Sequence, residues 1–129
     1  GSKPEEWTNA PYAPGKWTPK ELLGHLIDTE RIMTFRALCI ARGEKKILPG
    51  FDQDPYVIQG QFNAASLDDL LADFEMQRQA ILSMVRTLPA ASFLEIGNAN
   101  GNQMTTRALL WIIPSHFMHH FQVLQQHYL

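Results

Sequence analysis

Residues 109–124 read Leu109-Leu110-Trp111-Ile112-Ile113-Pro114-Ser115-His116-Phe117-Met118-His119-His120-Phe121-Gln122-Val123-Leu124. Leu109, Ile112, Ile113, Phe117, Val123 and Leu124 recur at helical spacing, the mark of a helix with one face turned to a core. His116 and His120 interrupt that stripe where neutral apolar side chains belong. Their i, i+4 spacing puts two imidazoles on one face, about 5–6 Å apart between Cβ atoms, close enough to ligate one transition metal. Further ligands have to come from neighbouring helices, so the stretch predicts a helical bundle with a metal site in its interior. Pro114 deletes one intrahelical hydrogen bond, frees the carbonyl of Leu110 and predicts a kink just before His116.

Toward the N-terminus, Thr18-Pro19-Lys20-Glu21 announces another helix. Thr18 caps it, Pro19 suits its first position, and Glu21 completes a capping box. Leu22, Leu26, Met33, Ala37 and Ile40 carry its stripe until Gly43, so this helix is expected over about 18–42. Residues 43–65 form a long connection with a short helical turn expected at about 55–62, a crossover that makes the next helix parallel to the first. Ser66 caps that next helix, Asp68 and Asp69 face its positive end, and Leu67, Leu70, Leu71, Phe74, Ile81, Leu82, Val85 and Leu88 form its apolar face up to Pro89. Gly97-Asn98-Ala99-Asn100-Gly101-Asn102 reads as a turn cluster, and the last helix runs over about 104–127. Strand signals are absent. Residues 3–17, with three prolines and a glycine, read as an extended arm with aromatic anchors. The expected organisation is a tag-removal scar at 1–2, the arm at 3–17 and an all-α bundle domain over 18–129.

The totals narrow the function. A chain of 129 residues with 45% hydrophobic content can bury one core. A net charge of −2 with interleaved signs gives no basic stripe for nucleic acid and no polybasic face for a membrane. Cys39 is the only cysteine, which excludes an internal disulfide and a thiolate cluster and suits a buried, inert thiol in a reducing compartment. No apolar run reaches the roughly 18–20 residues a bilayer needs, and a cytoplasmic location is the expectation.

His25 is the candidate third ligand. It borders the Leu22/Leu26/Met33 stripe, and if the first and last helices are antiparallel it lies at the level of His120, each about seven residues, or roughly 10 Å, inside its helix. His119 is the alternative to His116 as ligand, or a supporting group, and His127 is expected at the surface or an interface. Asp28, three residues after His25, is a candidate general base or an orienting acceptor for a histidine. Glu30 falls inside the apolar stripe, where an unpaired carboxylate costs several kcal/mol or more, so it needs a partner: Arg107, Arg36 or a tyrosine hydroxyl.

The segment Pro14-Gly15-Lys16-Trp17-Thr18-Pro19-Lys20-Glu21-Leu22-Leu23-Gly24-His25-Leu26-Ile27-Asp28-Thr29-Glu30 is followed by Leu48-Pro49-Gly50-Phe51-Asp52-Gln53-Asp54, then Ala99-Asn100-Gly101-Asn102, then His116-x-x-His119-His120. This order of features resembles the DinB family of small helical metalloproteins. The resemblance implies a four-helix bundle with up-down-down-up connections and a divalent metal, Zn²⁺ or Ni²⁺, held by His25, His116 and His120 with water positions left open. Family members include metal-dependent hydrolases and thiol transferases acting on small molecules. The family's first helix precedes the Ala-Pro-Gly-Lys-Trp stretch and has no counterpart here. Three helices bury one another incompletely, so either a helix has been cut from the chain or a second copy fills the space, and a homodimer is the expectation.

The expectation is therefore a metal-dependent hydrolase or thiol transferase on a small-molecule substrate, with Asp28 as catalytic proton acceptor. The turn at 100–102 and the crossover at 51–54 are candidate rims of its site. The alternative is a non-catalytic metal-binding or dimerising module.

Overall fold

A computed structural model describes residues 5–128, with side chains from Trp7 onward; the expected scar at 1–2 and the start of the arm lie outside the described residues. Four α-helices make up the bulk: α1 Pro19–Ala41, α2 Gln53–Gly60, α3 Leu67–Thr87 and α4 Thr106–His127. The central rod is α1, which packs against both α3 and α4. Its start is the expected capping box: the Thr18 side chain accepts from the Glu21 N–H, and Glu21 accepts from the Thr18 N–H. Gly43, at φ +89°, ends it in a conformation a side chain would resist. The cap of α3 is Ser66, whose Oγ accepts from the Asp69 N–H.

Cross-helix contacts give the directions. Glu30 meets Arg78, while Leu22 and Leu26 share a cavity wall with Leu67 and Leu71, so α3 runs parallel to α1. Ala37 and Ile40 pack with Leu109, and His25 meets His116, so α4 is antiparallel. The crossover between α1 and α3 is more ordered than one helical turn. Phe62 and Asn63, in a 3-10 turn at Phe62–Ala64, dock it onto α1: a Cβ on Gly24 would fall inside the Phe62 ring, and Asn63 Oδ1 accepts from Thr18 Oγ1 at 2.6 Å. The arm is likewise not wholly extended, since Glu5–Asn9 forms a 3-10 helix. Its anchors hold as expected, with Trp7 and Tyr12 on Tyr128 and Trp17 on His25.

The expected absence of strands is corrected. Three short strands, β1 Ile47–Leu48, β2 Ile96–Ala99 and β3 Asn102–Thr105, form a sheet in which β2 pairs parallel to β1 and antiparallel to β3. The cause is Asn100-Gly101, both at positive φ (55° and 87°), which closes a two-residue hairpin without β-branched flanks. The Asn100 N–H donates to the Leu48 carbonyl at 2.8 Å, extending the link to β1. Beneath the sheet lies a core of Ala37, Ile40, Leu48, Ala99 and Leu109, whose larger members contribute about 1.5–3 kcal/mol each on burial. The hairpin is therefore no rim of the histidine site: Gly97 packs on Ile40, 15 residues or roughly 22 Å along α1 from His25.

Glu30 is 1% exposed, and its partner is none of the three expected groups. Arg78 of α3 donates to both its carboxylate oxygens and lies beside the stacked rings of Phe74 and Phe117, 5.0 Å from each centroid. Arg36 donates instead to the Pro49 carbonyl, and Arg107 faces a cavity between α3 and α4. That cavity, about 720 Å³ and mostly apolar, exists because α3 and α4 meet only through long side chains such as Phe74 and Phe117.

Candidate metal centre

His25, on the buried face of α1, is 2% exposed, while His116 and His120 descend half-buried from α4. α4 stays continuous through Pro114, so the i, i+4 relation of its two histidines is intact. The antiparallel seam brings all three rings to one level. His116 Nε2 lies 3.2 Å from His25 Nε2 and 3.1 Å from His120 Nε2, and one nitrogen of each ring falls within 4.8 Å of the others.

A neutral imidazole nitrogen carries either one proton or one lone pair, so a good hydrogen bond accounts for one of the two contacts at His116 Nε2 and not both. A cation accounts for both. An ion about 2.0–2.1 Å from nitrogens at these two separations subtends roughly 95–105° at both pairs that include His116, between octahedral and tetrahedral values. The protonation states agree with that geometry. Burial, reinforced by the neighbouring histidines, lowers His25 and His120 from 6.5 to about 4, and burial followed by His119 lowers His116, so all three present lone pairs at neutral pH. The donor set thus fits a divalent ion with imidazole affinity and leaves further coordination positions to other ligands.

Three groups around the cluster have no role at the site among the expectations from sequence. Thr29 Oγ1 sits 3.4 Å from His25 Nδ1, placed to accept its N–H when Nε2 is left free for a ligand role; the i+4 spacing from His25 is the available signal. Trp17 covers the cluster with its ring, 4.6 Å from His25 and 6.5 Å from His120. Tyr128 secures that cover, its hydroxyl donating to the Trp17 carbonyl and accepting from the Tyr12 N–H. His116 Nδ1 is buried without a hydrogen-bond partner among the described residues.

Asp28 lies one turn from His25 and is half-buried. Burial raises its carboxyl above the usual range; Arg31 opposes the shift and Asp73 adds to it, and these two residues pair with each other. His119 stays exposed beside His120 and outside the three-nitrogen group, and His127 stacks on Tyr12. Cys39 is half-buried with its thiol raised by burial. Of the expected rims, Asp54 reaches the site, lining a cavity that also touches His120. No helix among the described residues is long and apolar enough to cross a membrane.

The sequence model of the DinB superfamily matches residues 2–124. Among solved structures, the chain is similar to YfiT from Bacillus subtilis, described as a probable metal-dependent hydrolase with an unusual four-helix bundle topology. That match has a TM-score of 0.76 at 17% identity and covers 96% of this chain and 74% of that one. No curated protein matches the sequence.

Proposed function

Because this chain belongs to the DinB superfamily, we propose that it is a divalent-metal-dependent enzyme, first of all a hydrolase, acting on a small molecule at His25, His116 and His120. The observation that carries this reading is the double contact at His116 Nε2, which a metal explains and a hydrogen bond does not. Zn²⁺ or Ni²⁺ suits three imidazoles, and the ion would supply Lewis acidity to a substrate bound on the side of the cluster that protein ligands leave open. The residues of the chain do the rest. Thr29 orients His25, Trp17 limits water above the cluster, and Asp28, with its raised carboxyl, accepts a proton from the attacking group.

Metal analysis and turnover of variants test this. His116→Ala is expected to lose the metal, whereas Asp28→Asn keeps it and loses hydrolysis. Thiol transfer in place of hydrolysis would reassign the reaction at the same site. Bound metal with neither activity would make the protein a non-catalytic metal-binding module, and no metal at the cluster would overturn the reading.

The same reading includes a homodimer. The open α3/α4 face carries a groove and, at its edge, the exposed Trp111, 64% accessible, together with Leu71 and Leu82. A projection and a hollow on one face suit isologous pairing, in which each copy's Trp111 enters the other's groove. Light scattering should give twice the chain mass, and Leu82→Glu should give the monomer; a monomeric wild type would remove the dimer from the account.

A further inference from the structure

A cavity of about 250 Å³ opens beside His120, below the roughly 300–1,000 Å³ of drug-sized sites. Four elements wall it. The arm contributes Tyr12, Lys16 and Trp17, the first turn of α2 contributes Asp54, and α4 contributes His119 and His120, with α1 behind. Lys16 and Asp54, opposite in charge, both line this one small space, and neither makes an ion pair with any described residue. Two opposite charges without ion-pair partners on the wall of one pocket select ligands by charge pattern.

A simple anion there gains Lys16 and is repelled by Asp54, and a simple cation meets the reverse. A ligand bearing both charges gains from each. We infer that this cavity binds a zwitterionic small molecule of amino-acid or dipeptide size, its carboxylate on Lys16 and its ammonium group on Asp54, with its body against Tyr12 and Trp17. The substrate class this assigns rests on the metal-enzyme reading, because His120 places the bound molecule next to the proposed reaction centre. The binding itself does not require the metal.

The test is an NMR shift titration with L-alanyl-L-alanine, N-acetyl-L-alanyl-L-alanine and L-alanyl-L-alaninamide, on metal-free and on zinc-loaded protein. The metal-free arm removes chelation of the ion by the peptide. The free dipeptide is expected to bind about tenfold more tightly than either capped form, the scale of one charged hydrogen bond. Lys16→Met should abolish discrimination against the amide and leave discrimination against the acetyl form. Asp54→Asn should do the opposite. Both residues are exposed, so neither variant endangers the fold. Equal affinity for free and capped peptides, or affinities unmoved by both substitutions, would overturn the inference. If zinc analysis shows no metal at the histidines while metal-free protein still selects the zwitterion, the enzyme reading fails and the binding site stands. Zinc at the histidines without charge selection has the converse meaning.

Discussion

The two faces of α4 are built on opposite terms. Toward α1 the contact is close, and polar groups are placed at the centre of the seam: three imidazoles, an orienting threonine and a tryptophan cover. Toward α3 the surface is apolar and the contact is open, leaving a groove bridged by Phe74, Phe117 and Arg78. The cavity of about 720 Å³ therefore lies away from the chemistry, while two smaller ones, of about 250 and 360 Å³, reach His120. Lone pairs converge where packing is tight enough to hold them and exclude water. Apolar surface stays uncovered where a further element could sit. Stability should accordingly depend on the links from α1 to its neighbours, and metal affinity on the α1/α4 seam alone.

The sharpest way to break that contrast is at Arg78. Arg78→Ala strands Glu30 in the core and should cost about 3–5 kcal/mol in urea unfolding, whereas Glu30→Leu with Arg78→Met should cost far less. A small loss in the single variant would mean that the pair is solvated and the α1/α3 contact looser than described. Gly24→Ala comes next. The methyl group displaces the Phe62 ring, and overpacking of this kind costs about 1–3 kcal/mol, read as a lowered urea midpoint. Thr29→Val separates the seam from the rest: metal affinity should fall about 10–100-fold in competition with a chelator while the urea midpoint hardly moves. An unchanged affinity would leave Thr29 without a role at His25.

The smallest effect concerns pH. In metal-free protein His25 and His120 fold with values near 4 and unfold to the usual 6.5, so between these limits the unfolded chain holds more protons. Stability from keeping them neutral is complete above pH 6.5 and is lost as pH falls toward 4. Thermal melts across that window should show the decline, and His25→Gln should reduce it.

Much of this was readable from the residues because the signals were local. The Thr18 and Ser66 caps, the stop at Gly43 and the i, i+4 histidines each depend on neighbours within a turn or two, and the structure places them as expected. His25 is a candidate from its place beside the apolar stripe, supported by matching depth if α1 and α4 are antiparallel, and the structure brings its ring to that of His116. What escaped was set by pairing across distance. Asn100-Gly101 reads as a turn, but β2 and β3 lack the alternation that marks strands, and β1 has only two residues. Arg78 is not among the expected partners of Glu30, although it lies four residues after Phe74 and three before Ile81, within the apolar stripe of α3, which is the position a buried acid on α1 requires. Trp17 and Tyr128 come together over the site only because the arm folds back along the end of α4.

The central claim is tested most directly by X-ray diffraction from zinc-loaded crystals on either side of the zinc absorption edge. The account predicts one anomalous peak per chain, about 2.0–2.1 Å from Nε2 of His25, His116 and His120, and its loss in His116→Ala. No peak at that point, with the three rings in the arrangement described and zinc bound elsewhere or not at all, would contradict it.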